Sequence, residues 1–198
     1  MRSLLAFPAA YAFFDRLIGG RSARRRFVEE HVRASAGDRV LDIGCGPASI
    51  LKFLPAVEYV GFDRSSAYVT AARKRHATRG RFFCGVVSQI DLEEHDFDIA
   101  IALGVVHHLD DGEALQLFRL GATALRPGGR LVTLDGCLAD GQPAIARYML
   151  GRDRGRYVRD QSGYEHLAGQ VFRDVRSSVR SDLLRFAYTH IVLECTRR

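Results

Sequence analysis

The sequence predicts an α/β fold: a mostly parallel sheet covered by helices on both faces and closed by an antiparallel strand near the C-terminus. Three observations predict it. Apolar strand-like segments alternate with helix-like segments between residues 39 and 134. Residues 97–103 are apolar almost throughout, as a strand buried on both faces must be. The last two strand candidates, at residues 175–179 and 189–196, are joined by a spacer too short for a crossover helix, so they pair antiparallel.

Each element has its own signal. Residues 39–43 form a first buried strand, and residues 48–54 read as a helix that Pro55 stops. Residues 57–62 are a second strand. Residues 65–77 are a helix with Ser65 as its cap and Tyr68, Val69 and Ala72 on its apolar face. Residues 81–87 and 97–103 are the third and fourth strands. A long helix at residues 112–125 ends at Arg126-Pro127-Gly128-Gly129, and residues 130–134 are the fifth strand. Right-handed crossovers between such strands make the sheet parallel. A helix at residues 163–172 precedes the final pair, and no internal repeat or low-complexity linker interrupts the chain.

The chain has 198 residues, 47% hydrophobic and 26% charged, which fits an ordinary globular protein. Its net charge of +6 permits anionic partners and selects none. Cys45, Cys84, Cys137 and Cys195 are scattered with no C-x-x-C pair, which argues against zinc or redox motifs and points to a cytoplasmic protein. An apolar run at residues 4–14 is too short to span a bilayer and lacks a small-residue cleavage site. It reads as a helix of the mature protein.

The chemistry concentrates at Val40-Leu41-Asp42-Ile43-Gly44-Cys45-Gly46-Pro47-Ala48. Glycines after a strand let a ligand approach the backbone closely. A dinucleotide fingerprint wants G-x-G-x-x-G, but Ser49 stands at the third position and Asp42 would repel a pyrophosphate. Asp63 ends the second strand roughly 20 residues on, where a ribose-hydroxyl acceptor is expected. Two carboxylates flanking a glycine turn suit a cationic ligand without phosphate, such as S-adenosylmethionine.

Four segments in order carry a family resemblance: residues 40–47, Val60-Gly61-Phe62-Asp63, Phe97-Asp98-Ile99-Ala100 running into His107-His108-Leu109, and residues 125–131. With them the chain resembles the class I S-adenosylmethionine-dependent methyltransferases. The resemblance implies a Rossmann-like, seven-stranded, mostly parallel sheet whose last strand is reversed. The chain reads as one domain: an N-terminal helical lid at residues 1–36, a cofactor-binding core at 37–135, and C-terminal helices with the antiparallel pair at 136–198. The resemblance sets Gly44, Cys45 and Gly46 under the methionine and ribose, Asp63 on the ribose hydroxyls, and Leu103 and Gly104 beside the cofactor; Asp42 and Arg64 are further cofactor-binding candidates. Many relatives carry Gly-Asp-Ala after the third strand. Here Gly85-Val86-Val87 stands instead, so backbone groups of Val86 and Val87 replace an acidic contact to adenine. Ala48 replaces a frequent glycine.

Methyl transfer from a sulfonium is an in-line displacement that depends mainly on positioning. A base is needed only if the acceptor must lose a proton. Candidates lie after the fourth and fifth strands: His107, His108 and Asp135. Each also has a structural reading, orienting a loop or capping a turn. Phe7, Tyr11, Phe13 and Phe14 could wall an apolar pocket, with Tyr11 reaching the methionine end. The same segment with Arg21 to Arg26 could dock on an anionic membrane surface. Arg152, Arg154, Arg156 and Arg159 around Tyr157 could bind an anionic acceptor, although Asp153 and Asp160 among them favour a solvated loop. Nucleic acid is disfavoured: Leu103-Gly104-Val105-Val106 replaces the Asp/Asn-Pro-Pro-Tyr/Phe of base-amino enzymes, and no cysteine follows a proline. The expected function is methyl transfer to a small apolar or aromatic acceptor. The alternatives are a cofactor-binding protein without transferase activity and, disfavoured by Asp42 and Ser49, a nicotinamide-dependent oxidoreductase.

Overall fold

The computed structural model describes residues 20–86, 95–152 and 156–198. The expectations for residues 4–14, including Tyr11, and for Val87 and Arg154 fall outside them.

Seven strands form one path: β1 (Arg39–Ile43), β2 (Glu58–Asp63), β3 (Arg81–Cys84), β4 (Phe97–Leu103), β5 (Leu125–Leu138), β7 (Asp174–Arg180) and β8 (His190–Thr196). Their order across the sheet is β3-β2-β1-β4-β5-β8-β7. All pairs from β3 to β5 are parallel, and β8 runs antiparallel to both β5 and β7. The reversed last strand therefore lies inside the sheet rather than at its edge. An unanticipated short strand, β6 (Arg159–Asp160), joins β5 at Cys137 and Leu138, which makes eight strands in the sheet among the described residues.

The sheet buries both faces, as the apolar β4 requires. Alternate residues of β4 go to opposite layers. Ala100 and Ala102 join Leu41, Leu131 and Leu193 under α3 (Asp111–Ala124) and α5 (Gln161–Gly169). Ile99 and Ile101 join Val40, Val132 and Val192 under α1 (Gly20–Phe27) and α2 (Ser66–His76). A π-helical turn, Val28–Val32, continues α1 and ends where Arg33, at φ 50°, donates its N–H to the Val28 carbonyl at 2.8 Å. Phe27 and Val32 are fully buried there. Among the described residues no helix is long and apolar enough to cross a membrane.

Local chemistry sets the helix ends. Ser65 accepts the Tyr68 N–H at the start of α2. Asp110 and Glu113 form a reciprocal capping box at α3, with bonds of 2.9 and 3.2 Å.

The helix expected at residues 48–54 is only a 3-10 turn, Ser49–Lys52. Ala48 enters it at φ 52°, a left-handed conformation that cannot begin an α-helix, and Pro55 closes it. The fifth strand runs past its expected end, because β8 pairs with it as far as Gly136↔His190. Asp135 is thus within the strand, not after it. Helix α4 (Ala144–Arg152) was also not anticipated.

The shift in β4–β5 register between Phe97 and Ile99 depends on Gly129. A Cβ there would lie 2.9 Å from the carbonyl oxygens of both Phe97 and Arg126. These are backbone atoms and cannot swing away. Gly129→Ala is expected to cost about 1–3 kcal/mol in urea unfolding, and an unchanged midpoint would contradict this packing.

Candidate active site

The C-terminal ends of β1, β2, β4 and β5 meet at one rim, where open α/β sheets hold ligands. The turn after β1 is built from left-handed residues: Gly44 at φ 73°, Gly46 at φ 53° and Ala48 at φ 52°. Strand β2 holds this turn. The Phe62 carbonyl accepts from Gly44 and Cys45 at 2.8 and 2.9 Å. The Asp63 carboxylate accepts from Gly46 at 2.9 Å through one oxygen and from Ser65 at 2.8 Å through the other. Gly44 is also sterically obligatory, since a Cβ would lie 2.6 Å from a Val105 methyl. Above Gly46 the space is open, with nothing within 4 Å of where a Cβ would be.

Beneath the turn lies a small cavity of about 70 Å³, lined among others by Arg24, Asp42, Gly44, Cys45, Gly46 and Leu103. Asp42 is 2% exposed. The Tyr59 hydroxyl donates to its Oδ2, and its Oδ1 has no hydrogen-bond partner among the described residues. Burial raises its pKa to about 7, against the lowering effect of the Tyr59 bond. Arg24, on α1, is 8% exposed. A buried carboxylate oxygen and a buried guanidinium lining one cavity can take a zwitterion.

A second polar pair sits on the opposite face of the sheet. The 3-10 turn Val106–His108 follows β4 and directs His107 inward and His108 outward. His107 Nδ1 lies 2.8 Å from Asp135 Oδ1, and the His107 backbone N–H donates to the same oxygen at 3.2 Å. Both residues are buried, at 5% and 1% exposure. An ionised Asp135 only accepts, which puts the proton on Nδ1 and leaves Nε2 as the acceptor of a neutral imidazole. Gly104 links the two pairs: it follows the cavity-lining Leu103, and a Cβ on it would lie 3.8 Å from His107 Cε1. Among the described residues no group of three or more His, Cys, Asp and Glu is placed to hold a metal ion.

Residues 40–129 match the family model described as a methyltransferase domain. Over this stretch the chain is similar to methyltransferases. It is 29% identical over 176 residues to phosphoethanolamine N-methyltransferase 1 of Triticum aestivum, covering 83% of this chain and 34% of that protein. It is 34% identical over 108 residues to 27-O-demethylrifamycin SV methyltransferase of Amycolatopsis mediterranei, covering 50% of this chain and 39% of that protein. The chain thus spans little more than a third of the length of these curated relatives. Its fold is similar to that of the S-adenosylmethionine-dependent methyltransferase SibL in its apo form, with a TM-score of 0.76 at 18% identity, covering 98% of this chain and 61% of that one.

Asp42, Gly44, Cys45, Gly46 and Leu103 share the cavity of this stretch, and Asp63 holds its turn. Arg64 and Val86 lie exposed at the exits of β2 and β3. Of the base candidates, His107 and Asp135 come together, whereas His108 is exposed. Arg24 was missed as a site residue. It sits in an arginine run that reads as a membrane-docking surface, and only the helical turn of α1 separates it from its exposed neighbour Arg25.

The folded state keeps a proton on Asp42 up to about pH 7, while an unfolded aspartate loses it near pH 4. Between these values the unfolded chain binds fewer protons, so this group makes stability fall as pH rises. Asp42→Asn should therefore unfold with less loss of stability between about pH 4 and 7 than the parent chain. Parallel slopes in denaturant titrations across that window would refute this.

Proposed function

We propose that this chain transfers the methyl group of S-adenosylmethionine to a small acceptor with an apolar or aromatic body and a protic oxygen or nitrogen, with His107 as general base. The observation that carries the base is the buried 2.8 Å contact between His107 Nδ1 and Asp135. Such a contact fixes one tautomer and stabilises the imidazolium formed when Nε2 accepts a proton. The apolar acceptor is supported by an exposed aromatic side chain on the segment bonded to this pair. Tyr157 (41% exposed) donates its backbone N–H to the His107 carbonyl at 3.0 Å. The two relatives described above are named for N-methylation and for a 27-O-demethyl substrate, so both kinds of acceptor atom occur among similar proteins.

When bound, the cofactor supplies an electrophilic methyl on a sulfonium. In this reading Asp42 Oδ1 accepts from the cofactor's ammonium, and Arg24 donates to its carboxylate. Asp63, already holding the turn, offers its remaining lone pairs to the ribose hydroxyls. Gly44 and Gly46 allow close approach, Cys45, Leu103 and Gly104 border the methionine and ribose, and Arg64 and Val86 flank the nucleoside. Asp135 orients His107 and takes no proton itself. The closed, left-handed turn and the buried pair hold these groups before a ligand arrives, which is what in-line displacement needs.

Two measurements test this. S-adenosylhomocysteine contains the amino-acid end and 5′-methylthioadenosine lacks it. Arg24→Met is expected to weaken the first by about tenfold or more, through loss of a charge-assisted hydrogen bond, and to leave the second unchanged. Equal effects on both, read by calorimetry, would remove Arg24 from the site. His107→Ala is expected to lower turnover about 100-fold or more, at unchanged S-adenosylhomocysteine affinity. Undiminished turnover would rule out His107 as the base.

A further inference from the structure

The arginine-rich stretch after α4 holds a residue that the cofactor site leaves unexplained. Arg159 is not solvated: its side chain is 12% exposed. Its Nε and Nη2 donate to the Asp111 carboxylate at 3.0 and 2.7 Å. Nη2 also donates to the Leu109 carbonyl at 2.9 Å, and Nη1 donates to the carbonyls of Val106 and Tyr157 at 3.3 and 2.9 Å. A guanidinium has five N–H donors, and these five bonds engage them all. The guanidinium also lies 5.8 Å from the centre of the buried Tyr164 ring. No donor remains for an anionic acceptor, so that reading of Arg159 is withdrawn.

The acceptors are informative. Val106 and Leu109 bracket His107 and His108 in the 3-10 turn. The carbonyl between them, on His107, takes the Tyr157 N–H. The turn spans only Val106–His108 and contributes few hydrogen bonds of its own. Two of its carbonyls, on Val106 and His107, and that of Leu109 just after it are therefore tied to one distant segment, residues 157–159, which β6 in turn fixes to β5 two residues beyond Asp135.

We propose that Arg159 is a positioning residue for His107, strapping the Val106–His108 turn to α3 and β5 so that Nδ1 stays on Asp135. The role rests on the reading of His107 as base but has its own observable, the state of the ring. Lysine keeps the charge, but its single nitrogen cannot span four acceptor groups.

The test uses the whole chain with 15N-labelled histidine and reads the ring nitrogens by NMR, with His107→Gln to assign the signal. The parent chain is expected to show His107 as one Nδ1–H tautomer with a slowly exchanging ring proton. In Arg159→Lys that proton should exchange about tenfold faster or more, the equivalent of about 1.4 kcal/mol of hydrogen bonding, with S-adenosylhomocysteine affinity within about twofold. An unchanged tautomer and exchange rate in a folded Arg159→Lys would overturn the proposal while leaving His107 available as a base. A parent chain without the Nδ1–H tautomer would overturn both. Should Arg159→Lys not fold, Asp111→Ala decides. Asp111 is 79% exposed and anchors two of the five donors. Faster ring-proton exchange there supports the strap, and an unchanged rate overturns it.

Discussion

The rim depends on one constraint: the turn after β1 must be held in left-handed backbone geometry by the end of β2. Gly44, Gly46 and Ala48 all have positive φ, and a chain of L-residues adopts that only when the surroundings impose it. Here the Phe62 carbonyl and the Asp63 carboxylate impose it, through three N–H donors from Gly44, Cys45 and Gly46, while Ser65 fixes the other oxygen of Asp63. Their position is fixed by the parallel β1–β2 register, which sets Asp42 opposite Gly61 and Ile43 opposite Phe62. The turn also shapes what lies below it, since Val105 packs against Gly44 at the start of the segment that carries His107.

Two carboxylates are buried at this rim, and each costs stability in a different way. Asp42 has one hydroxyl donor and one oxygen without a partner, so burial dominates and its proton is held to about pH 7. Asp135 uses one oxygen for both the backbone and the ring of His107, and its Oδ2 has no partner among the described residues. A core evolved only for stability would replace such groups by apolar ones of similar volume. Their presence toward one rim of the sheet, Asp42 lining a cavity and Asp135 bonded to a buried histidine, is the arrangement expected of a site rather than of packing.

Much of the fold was legible because it follows periodicity. The strands at residues 39–43 and 97–103 match β1 and β4 to the residue, and the short spacer at 180–186 correctly required an antiparallel pair. What was not legible depended on contacts between distant residues. Nothing local distinguishes His107 from His108, because their difference arises from the 28-residue separation to Asp135. Arg159 looks like its neighbours in composition, yet three of its four partners, Asp111, Leu109 and Val106, lie 48 to 53 residues away. Ala48 read as the start of a helix, but it lies in left-handed geometry at φ 52°, where tertiary constraint outweighs helix propensity. Asp42 and Asp63 were legible as a pair, whereas the hold of Asp63 on Gly46 was not.

The position of Arg24 has a cause far from the cavity. Helix α1 and its π-turn are tied to the C-terminal strands by a charged network. Arg26 bonds Asp182 at 2.7 Å and Glu30 at 3.0 Å, and Arg180 bonds Glu30 at 2.7 Å and Asp182 at 2.8 Å. Glu194 on β8 accepts from His31, Arg33 and Arg130. The paired guanidiniums hold the carboxyls of Asp182 and Glu30 below their ordinary range. Most of these groups are partly exposed, so each pair contributes little alone. Their value is geometric. Phe27, Val28 and Val32 anchor the apolar side of the segment, and the charges fix its rotation about that anchor. Rotation decides which arginine of the run at residues 24–26 faces the cavity. With Arg26 committed to Asp182 and Arg25 beside Glu29 in solvent, Arg24 is the one turned inward. The same sheet that carries Asp42 thus selects its cationic companion, through strands added at the far end of the chain.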